Sequence, residues 1–385
     1  MPLGLGASLS KASIVTPGVV TDNLVMKHMY PAGAVQPISD GAVYCDGSTY
    51  VDCGTGIGTA LGDNYAGDLT VSMWFKANAT TGVGLFQSGN ESHNNREFSL
   101  RLNSDTIEFG LNNIGWQRTV AFTDTSNWHH VTAVLDNGSE STSLLYLDGV
   151  SVGSVAGGSS FPTASNLDFN GDDTHIGRFY NSEFNGYICN VGMWTRILTQ
   201  AEIKSIMWKQ YADLTTSEKT NLVSWWNLDS SETASDGKVI TYDNHYGGSA
   251  SSVGSELLTN GDFATGDLTG WTTFTAGDGV EASYVNGGAR IYSPSGGNTG
   301  IRQAILTTGK LYDITYTIIE NNGGSLAFED ETTDTITSTV GTHTIKNHFV
   351  DSDSNFIIKR NSGATDIIVG DISVKEVQGN WGVLS

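Results

Sequence analysis

Two groups of residues in this sequence could take part in acid–base chemistry: an adjacent pair of histidines and the acidic residues. His129 and His130 lie in an alternating stretch, so they point to opposite faces of a strand, and no nucleophile lies near them. A glycoside hydrolase needs two carboxylates flanking the scissile bond, yet residues 42–250 contain no Glu-x-Asp-x-x-Glu strand motif. The acidic stretch FEDETTD, residues 328–334, is interpreted as a polar hairpin. We therefore expect a protein without enzymatic activity.

Aromatic residues beside polar groups are the second kind of candidate, because sugar rings stack on aromatic faces while Asn, Asp and Arg pair with their hydroxyls. Trp116 lies in the loop-like stretch NNIGWQR and is the candidate in the first half of the chain. Tyr284 and Tyr292 are the counterparts in the second half. Packing within the fold is the alternative for Trp116.

Charge and composition narrow the class of protein. The 385 residues carry a net charge of −22, from 19 Lys and Arg against 41 Asp and Glu. Nucleic acid and anionic lipid are therefore not expected partners, since both bind clustered cations. The 47 glycines and 6 prolines favour an all-β protein of short strands and tight turns. No stretch approaches the ~20 apolar residues of a membrane span. The first residues lack a signal-peptide pattern, so synthesis in a cytoplasm is expected.

Three cysteines, Cys45, Cys53 and Cys189, cannot all pair with one another. Cys45 and Cys53 have the same strand parity, and Cys189 occupies an alternating apolar position. No CxxC or His/Cys cluster accompanies them. We expect each to be a small buried hydrophobic residue rather than a redox or metal group.

Short strands and one capped helix must position these residues. EFSLRLNSDTIEFGL predicts a hairpin with one buried face, and Asp148-Gly149 predicts a tight turn. In FNGYICNVGMWTRILTQAEIKSI, residues 184–206, a strand gives way to a helix. Thr199 and Glu202 have the spacing of a capping box, and Leu198 and Ile203 that of a hydrophobic staple. This helix is predicted to pack on a sheet.

An ordered series of motifs resembles laminin G-like, or concanavalin A-like, jelly-roll domains. The motifs are NWHHVTAVLD, LLYLDGVSVG, THIGR and FNGYICNVGMWTRILTQAEIKSI, and the resemblance covers residues 42–250. LVSWWNLD, residues 222–229, is similar to a strand that opens such domains, and here we expect it to close the sandwich from the other end.

A second unit, residues 255–378, resembles carbohydrate-binding modules of the galactose-binding-like jelly roll. It begins with ELLTNGDFATGDLTGWT and ends with IIVGDISVKEV, two segments that lie side by side in those modules. Tyr312, Ile314, Tyr316 and Ile318 share one strand face, as a sandwich core requires. The predicted organisation is an extended N-terminal arm (1–41), two β-sandwiches (42–250 and 255–378) and a C-terminal tail (379–385).

The resemblance to these jelly rolls implies a Ca²⁺ ion held by hard oxygen ligands, which this acidic chain has in excess. In the second unit Asp262 and Asp371 fall where related modules hold a structural ion. Asp243 and Asn244 are the candidates in the first unit. Solvated turn carboxylates are the alternative.

The N-terminal arm, GLGASLSKASIVTPGVVTDNLVMKHMY, is similar to the openings of laminin G-containing structural proteins of marine tailed phages. This resemblance implies a non-enzymatic virion surface protein, a capsid decoration or fibre component made in the host cytoplasm. Its arm would bind other virion proteins, its sandwiches would bind host or environmental glycans, and it could form a homo-oligomer. The alternatives are an extracellular or cell-surface bacterial adhesin, and a purely structural capsid cement.

Overall fold

The computed structural model describes residues 37–89, 97–111, 115–137, 139, 141–155, 167–169, 173–233, 239–245, 253–329, 333–350, 354–379 and 381–384. Up to residue 245 the elements are β1 (Val43–Asp46), β2 (Val51–Asp52), α1 (Gly56–Leu61), β3 (Leu69–Ala77), β4 (Val83–Ser88), β5 (Phe98–Asn103), β6 (Thr106–Leu111), β7 (Gly115–Ala121), β8 (His129–Leu135), β9 (Leu144–Leu147), β10 (Val150–Val152), β11 (Ser154–Val155), β12 (Thr174–Ile176), β13 (Arg178–Phe179), β14 (Ser182–Glu183), β15 (Asn185–Trp194), α2 (Gln200–Ile206), a 3-10 helix (Tyr211–Asp213), β16 (Leu222–Trp226), β17 (Glu232–Thr233) and β18 (Val239–Tyr242). From residue 253 onward they are β19 (Val253–Glu256), β20 (Thr272–Ala276), β21 (Glu281–Val285), β22 (Gly288–Ser293), β23 (Asn298–Ala304), β24 (Leu311–Gly323), β25 (Leu326–Glu329), β26 (Thr333–Thr335), β27 (Gly341–Phe349), β28 (Asn355–Arg360), β29 (Thr365–Val377) and β30 (Trp381–Leu384).

Two facing sheets form the first sandwich. One has the order β1-β15-β3-β8-β9-β10 with β16 also on β15, and the other has the order β11-β7-β6-β5-β4-β12-β2-β30-β18-β17. Alternate residues of each strand fill the space between them. Phe75 of β3 and Leu100 of β5, for example, are both 0% exposed. The predicted all-β sandwich is confirmed, and β16 joins it at β15 as the late strand LVSWW was expected to do.

Tight turns connect the neighbouring strands as the sequence predicts. Ser104 and Asp105, between β5 and β6, have φ values of 48° and 60°. Asp148 and Gly149, between β9 and β10, have φ values of 51° and 73°. Positive φ at both central residues defines the type I′ turn, whose twist suits a hairpin.

Helix α2 has the predicted capping box. The Thr199 side chain accepts from the Glu202 amide at 3.3 Å, and the Thr199 amide donates to Glu202 Oε2 at 2.8 Å. Leu198 and Ile203 belong to one buried cluster with Trp194 of β15. The helix therefore lies on the outer face of the first sheet, opposite the main core.

The three cysteines are free and buried, as expected. Burial, assisted by the nearby charge of Asp46, raises the pKa of the Cys45 thiol to about 12. Burial likewise raises the pKa of the Cys189 thiol to about 12. These thiols are packing groups.

The second sandwich is built from β19 to β29. One sheet has the order β21-β22-β29-β24-β27 with β19 on β29, and the other has the order β20-β23-β28-β25-β26. The predicted core face of β24 is confirmed, because Tyr312, Ile314, Tyr316 and Ile318 are each 0–1% exposed. The first and last strands, β19 and β29, lie side by side as the resemblance implies.

The C-terminal residues leave the second sandwich and return to the first. Strand β30 lies between β18 and β2, with Ile240 opposite Val383 and Val51 opposite Leu384. Residues 379–385, predicted to be a C-terminal tail, thus contain a strand of the first sandwich. Its four-residue apolar run, WGVL, was too short to be distinguished from a tail by periodicity.

Within the described residues, no helix is long and apolar enough to cross a membrane.

Candidate functional site

Helix α2 and the residues that follow it pack on part of the outer face of the first sheet and leave one end of that face open. Under the helix, Trp74 of β3 is 1% exposed, and its indole Nε1 donates to the Met207 carbonyl at 2.7 Å. Two residues further along β3, Lys76 is only partly buried. The open end of the face therefore begins at Lys76.

Four residues form what we call the aromatic row: Tyr44, Tyr187 and Lys76, which are in register across three strands, and Trp128, which directly precedes β8 and contacts Tyr187. Tyr44 of β1 is directly opposite Tyr187 of β15, which is opposite Lys76 of β3. The two tyrosine ring centroids are 4.8 Å apart, and the Trp128 ring lies 6.2 Å from that of Tyr187. Tyr44 is 47% exposed and Tyr187 is 38% exposed. Directly opposed strand residues share a face, so these rings line one open surface.

A second row of polar residues lies beside the aromatic row on the same face. Asp46 and Asn185 are opposite each other, two residues along the strands from Tyr44 and Tyr187. The Asn78 side chain donates to Asn185 Oδ1 at 2.9 Å. Asp46, Asn185 and Asn78, the polar row, thus place amide and carboxylate groups next to the exposed rings.

Gly186 makes this close arrangement possible. It separates Asn185 from Tyr187 in β15 and has a φ of +150°. A Cβ atom there would lie 2.2 Å from the Lys76 carbonyl oxygen. Only glycine allows β15 to approach β3 this closely between the two rows.

A charged network positions the Trp128 end of the aromatic row. The next residue, His129, places Nδ1 2.9 Å from Asp148 Oδ2 and Nε2 3.3 Å from Asp124 Oδ2. Burial acts to lower the pKa of His129, but hydrogen bonds and charge from Asp148 and Asp124 outweigh it and raise the pKa. His130 lies under α2, where burial lowers its pKa to about 3, and its Nε2 is 2.8 Å from Ser72 Oγ.

The second sandwich carries a shallow trough on the outer face of its β20-containing sheet. Phe274, Gly300, Lys359 and Ala327 follow one another across four strands. A Cβ on Gly300 would lie 2.7 Å from Phe274 Cζ, so the aromatic ring lies over the glycine. The Arg302 guanidinium is 6.0 Å from the same ring. This trough combines a ring with cationic groups.

The sequence-predicted aromatic residues do not form one site. The prediction that Trp116 lies in a loop is wrong, because Trp116 is part of strand β7; its side chain is outside the described part of the structure. Tyr284 is opposite Ala289 and Tyr292 is opposite Glu281 across one hairpin. Ala289 is fully buried and Glu281 is exposed, so the two tyrosines point to opposite faces.

One face of the Tyr292 ring is covered by a neighbouring side chain. The Arg290 guanidinium lies 4.3 Å from the centroid of the Tyr292 ring. That guanidinium makes a two-pronged contact with Asp366, at 2.7 Å and 2.8 Å. The arrangement fixes Arg290 over the ring face on which a sugar would have to stack.

Two of the calcium candidates lie on neighbouring segments. Asp262 and Asp371 are exposed, and the Ile372 amide donates to the Gly261 carbonyl at 2.9 Å. Asp371 has a φ of +46°. Asp262 Oδ1 accepts from the Ala264 amide at 3.1 Å. Among the described residues, no group of three or more His, Cys, Asp and Glu side chains is arranged to hold a metal ion.

The other two candidates hold β16 in place. The buried Asp243 accepts from the Trp225 amide at 3.0 Å and the His245 amide at 2.9 Å. Burial raises the pKa of Asp243, although these amide donors act in the opposite direction. Asn244 Oδ1 accepts from the Asn227 amide at 2.8 Å. These oxygens have a structural role in joining two strands.

Residues 46–204 match the family model described as the concanavalin A-like lectin/glucanases superfamily. This segment includes the polar row and all of the aromatic row except Tyr44. No curated protein matches the chain.

Several solved structures are similar to parts of the chain. Domain 4 of AbnA, an extracellular arabinanase from Geobacillus stearothermophilus solved with arabinotriose, is 20% identical over 38% of this chain and 68% of its own, with a TM-score of 0.29. A Bacteroides ovatus protein named for carbohydrate binding is 18% identical over 52% of this chain, with a TM-score of 0.35. The chain spans about half, 54%, of the length of that protein. A CBM4 structure is 21% identical over 31% of this chain and 99% of its own, with a TM-score of 0.25.

Proposed function

We propose that this protein is a non-enzymatic glycan-binding protein that uses the aromatic row and the polar row as one site. The observation that carries the proposal is the register of Tyr44, Tyr187 and Lys76 on an open sheet face. Neighbouring aromatic rings on an open face offer the apolar surface on which a ligand ring can stack. The family model matched by residues 46–204 is named for lectins and glucanases and supports the same class of ligand.

The chemistry of the two rows suits a sugar chain. The apolar face of a pyranose ring stacks on tyrosine or tryptophan, and its hydroxyls need donors and acceptors at the ring edge. Asn78 and Asn185 offer amides, and Asp46 offers a carboxylate. Hydrogen bonds from Ser48 lower the pKa of Asp46, so it is an anionic acceptor at neutral pH. A flat open face favours an internal stretch of a polymer over a chain end.

A glycan array with the full-length protein tests this site. We expect binding to one class of polysaccharide, at least a tenfold weaker affinity for Tyr187→Ala, and near-native affinity for Tyr187→Phe because the ring is retained. Tyr180→Ala is the matched control, since Tyr180 is 39% exposed in the turn between β13 and β14. Equal binding by Tyr187→Ala and the native protein would show that the site lies elsewhere.

We further propose that this protein is a virion surface component, a capsid decoration or part of a fibre. The support is the resemblance of residues 4–30 of the N-terminal arm to the openings of phage structural proteins. These residues lie outside the described structure. Mass spectrometry of purified particles tests the location. Absence from particles would favour the cell-surface adhesin. Presence with particle stabilisation and without any glycan binding would favour the structural cement.

We also propose that Asp262 and Asp371 bind Ca²⁺ together in the second sandwich. The segments that carry them are joined by the Ile372 amide and the Gly261 carbonyl. Binding of an ion to the folded state raises the thermal midpoint. We expect EDTA to lower the midpoint of the second sandwich, and Ca²⁺ to restore it in the native protein but not in Asp371→Asn. A melt unchanged by EDTA would remove the hypothesis.

A further inference from the structure

A cleft of about 580 Å³ lies between the two sandwiches. Three parts of the chain line it: residues 52–56 with Thr59 and Asp173, residues 307–310 with Phe349, and the C-terminal residues Gly379, Trp381 and Val383. Its size falls within the roughly 300 to 1,000 Å³ of small-molecule sites, which occur preferentially between domains. Neither the aromatic row nor the trough contributes to it.

The base of the cleft is a packed interface, so the cleft is formed before any ligand arrives. The Trp381 and Phe349 rings make an edge-to-face contact with centroids 5.6 Å apart. Trp381 belongs to one buried cluster with Ile240 of the first sandwich and Leu311 of the second. A preformed site binds without first ordering its walls.

The polar groups of the cleft include both acceptors and donors. Asp52 and Asp173 lie on the first sandwich, and Asp52 Oδ1 is held by the Gly54 amide at 2.8 Å. Thr308 and Lys310 lie on the second sandwich. Lys310 Nζ is 3.2 Å from Glu376, which offsets its positive charge. The balance is therefore negative, and an anionic ligand would be repelled.

We propose that this cleft binds a neutral sugar unit, separately from the site on the aromatic row. Carboxylates and threonine hydroxyls pair with sugar hydroxyls, while the edges of Phe349 and Trp381 supply apolar surface. The inference takes its ligand class from the proposed glycan-binding function but names a second site for it. Because the walls come from both sandwiches, a sugar bound there stabilises both of them together.

Differential scanning calorimetry of the full chain with galactose, N-acetylglucosamine or glucose at millimolar concentration tests the cleft. We expect one of these sugars to raise the unfolding midpoint of both sandwiches, since it binds only when both walls are folded. Thr308→Phe, which fills the cleft, should weaken the apparent affinity at least tenfold, and Asp52→Asn should weaken it several-fold. Asp278→Asn, on an exposed loop, is the matched charge control.

The result distinguishes the two sites. A midpoint shift that survives Tyr187→Ala and disappears in Thr308→Phe supports the cleft. A shift that disappears in Tyr187→Ala and survives Thr308→Phe assigns the sugar to the aromatic row and overturns the cleft. If none of the sugars moves the midpoint, the cleft proposal is wrong, while the aromatic row is still judged by polysaccharide binding on the array.

Discussion

The two sandwiches differ in how the chain closes them. The second is continuous, running from Val253 of β19 to Val377 of β29. The first is assembled from segments within residues 37–245 and from β30. Strand β30 begins at Trp381, 136 residues after residue 245. The second sandwich is thus inserted between two neighbouring strands of the first, β18 and β30. This arrangement makes the first sandwich depend on residues that follow the second.

The same insertion accounts for the packed interface between the two sandwiches. The chain leaves the first sandwich after β18 and returns to it as β30, which pairs with β18. The two ends of the second sandwich therefore lie close together. Ile240, Leu311, Val377, Trp381 and Val383 then form one buried cluster shared by both sandwiches. The cleft above this cluster is a direct product of the insertion.

Deletion of residues 381–385 should cause the largest difference in stability between the two sandwiches. It removes the buried Trp381 and Val383 and leaves β2 and β18 without their shared neighbour. Loss of a buried tryptophan alone costs about 3 to 5 kcal/mol. Calorimetry should show the first sandwich destabilised by at least that amount, with a smaller loss in the second, because Leu311 and Val377 also lose their buried contacts with Trp381 and Val383.

A peptide of residues 378–385 supplies the control for this deletion. Added in excess, it should restore the midpoint of the first sandwich, because the vacant position between β2 and β18 accepts a strand. A peptide with Gly382→Val should restore less, since even a Cβ at Gly382 would lie 2.6 Å from Val51 Cγ1. If the deletion leaves both midpoints unchanged, β30 does not close the sandwich.

The Phe349→Ala substitution should have an intermediate effect and separate the two sandwiches. Phe349 belongs to the second sandwich but contacts Trp381, and such an aromatic pair contributes roughly 0.5 to 1.5 kcal/mol beyond its buried area. We expect a loss of about 2 kcal/mol and a wider gap between the two calorimetric transitions. Tyr284→Ala, at an exposed aromatic position of the same sandwich, should leave the gap unchanged.

The smallest predicted effect is on the pH dependence of the first sandwich. The pKa of His129 is raised in the folded protein, so its contribution is complete below its unfolded value and disappears as pH rises through the folded pKa. His129→Gln should therefore be less stable than the native protein at pH 5.5, by roughly 1 kcal/mol, because the ion pairs with Asp124 and Asp148 are partly exposed and screened by water. That difference should shrink toward pH 8.5.

The quantity to measure is the difference in unfolding free energy between the variant and the native protein at each pH. This difference is needed because His130 changes the stability of both proteins with pH in the opposite direction. Its pKa is lowered by burial, so its contribution is lost as pH falls below the ordinary histidine value. A difference that grows with pH would contradict the assigned Asp124 and Asp148 contacts.

Much of the fold can be predicted from local sequence patterns. Alternation identifies β5, β6, β8 and β24, and positive-φ turn chemistry identifies Asp148-Gly149. The Thr199 and Glu202 spacing identifies the start of α2. Each of these features depends on residues within a few positions of one another, so the sequence alone determines them.

The aromatic row and the closing strand depend on contacts that are remote in the chain. Tyr44 and Tyr187 become neighbours only through the pairing of β1 with β15, and nothing around either residue indicates its partner. Tyr284 and Tyr292 are close in sequence, yet the hairpin places them on opposite faces because the register is set by two residues at the turn. In the same way, WGVL becomes a strand only because β2 and β18 leave a gap of its length. The sequence determined the long alternating strands and their tight turns, whereas the tertiary structure decided which strands meet and that WGVL is one of them, because register over such separations is set by packing of the whole core.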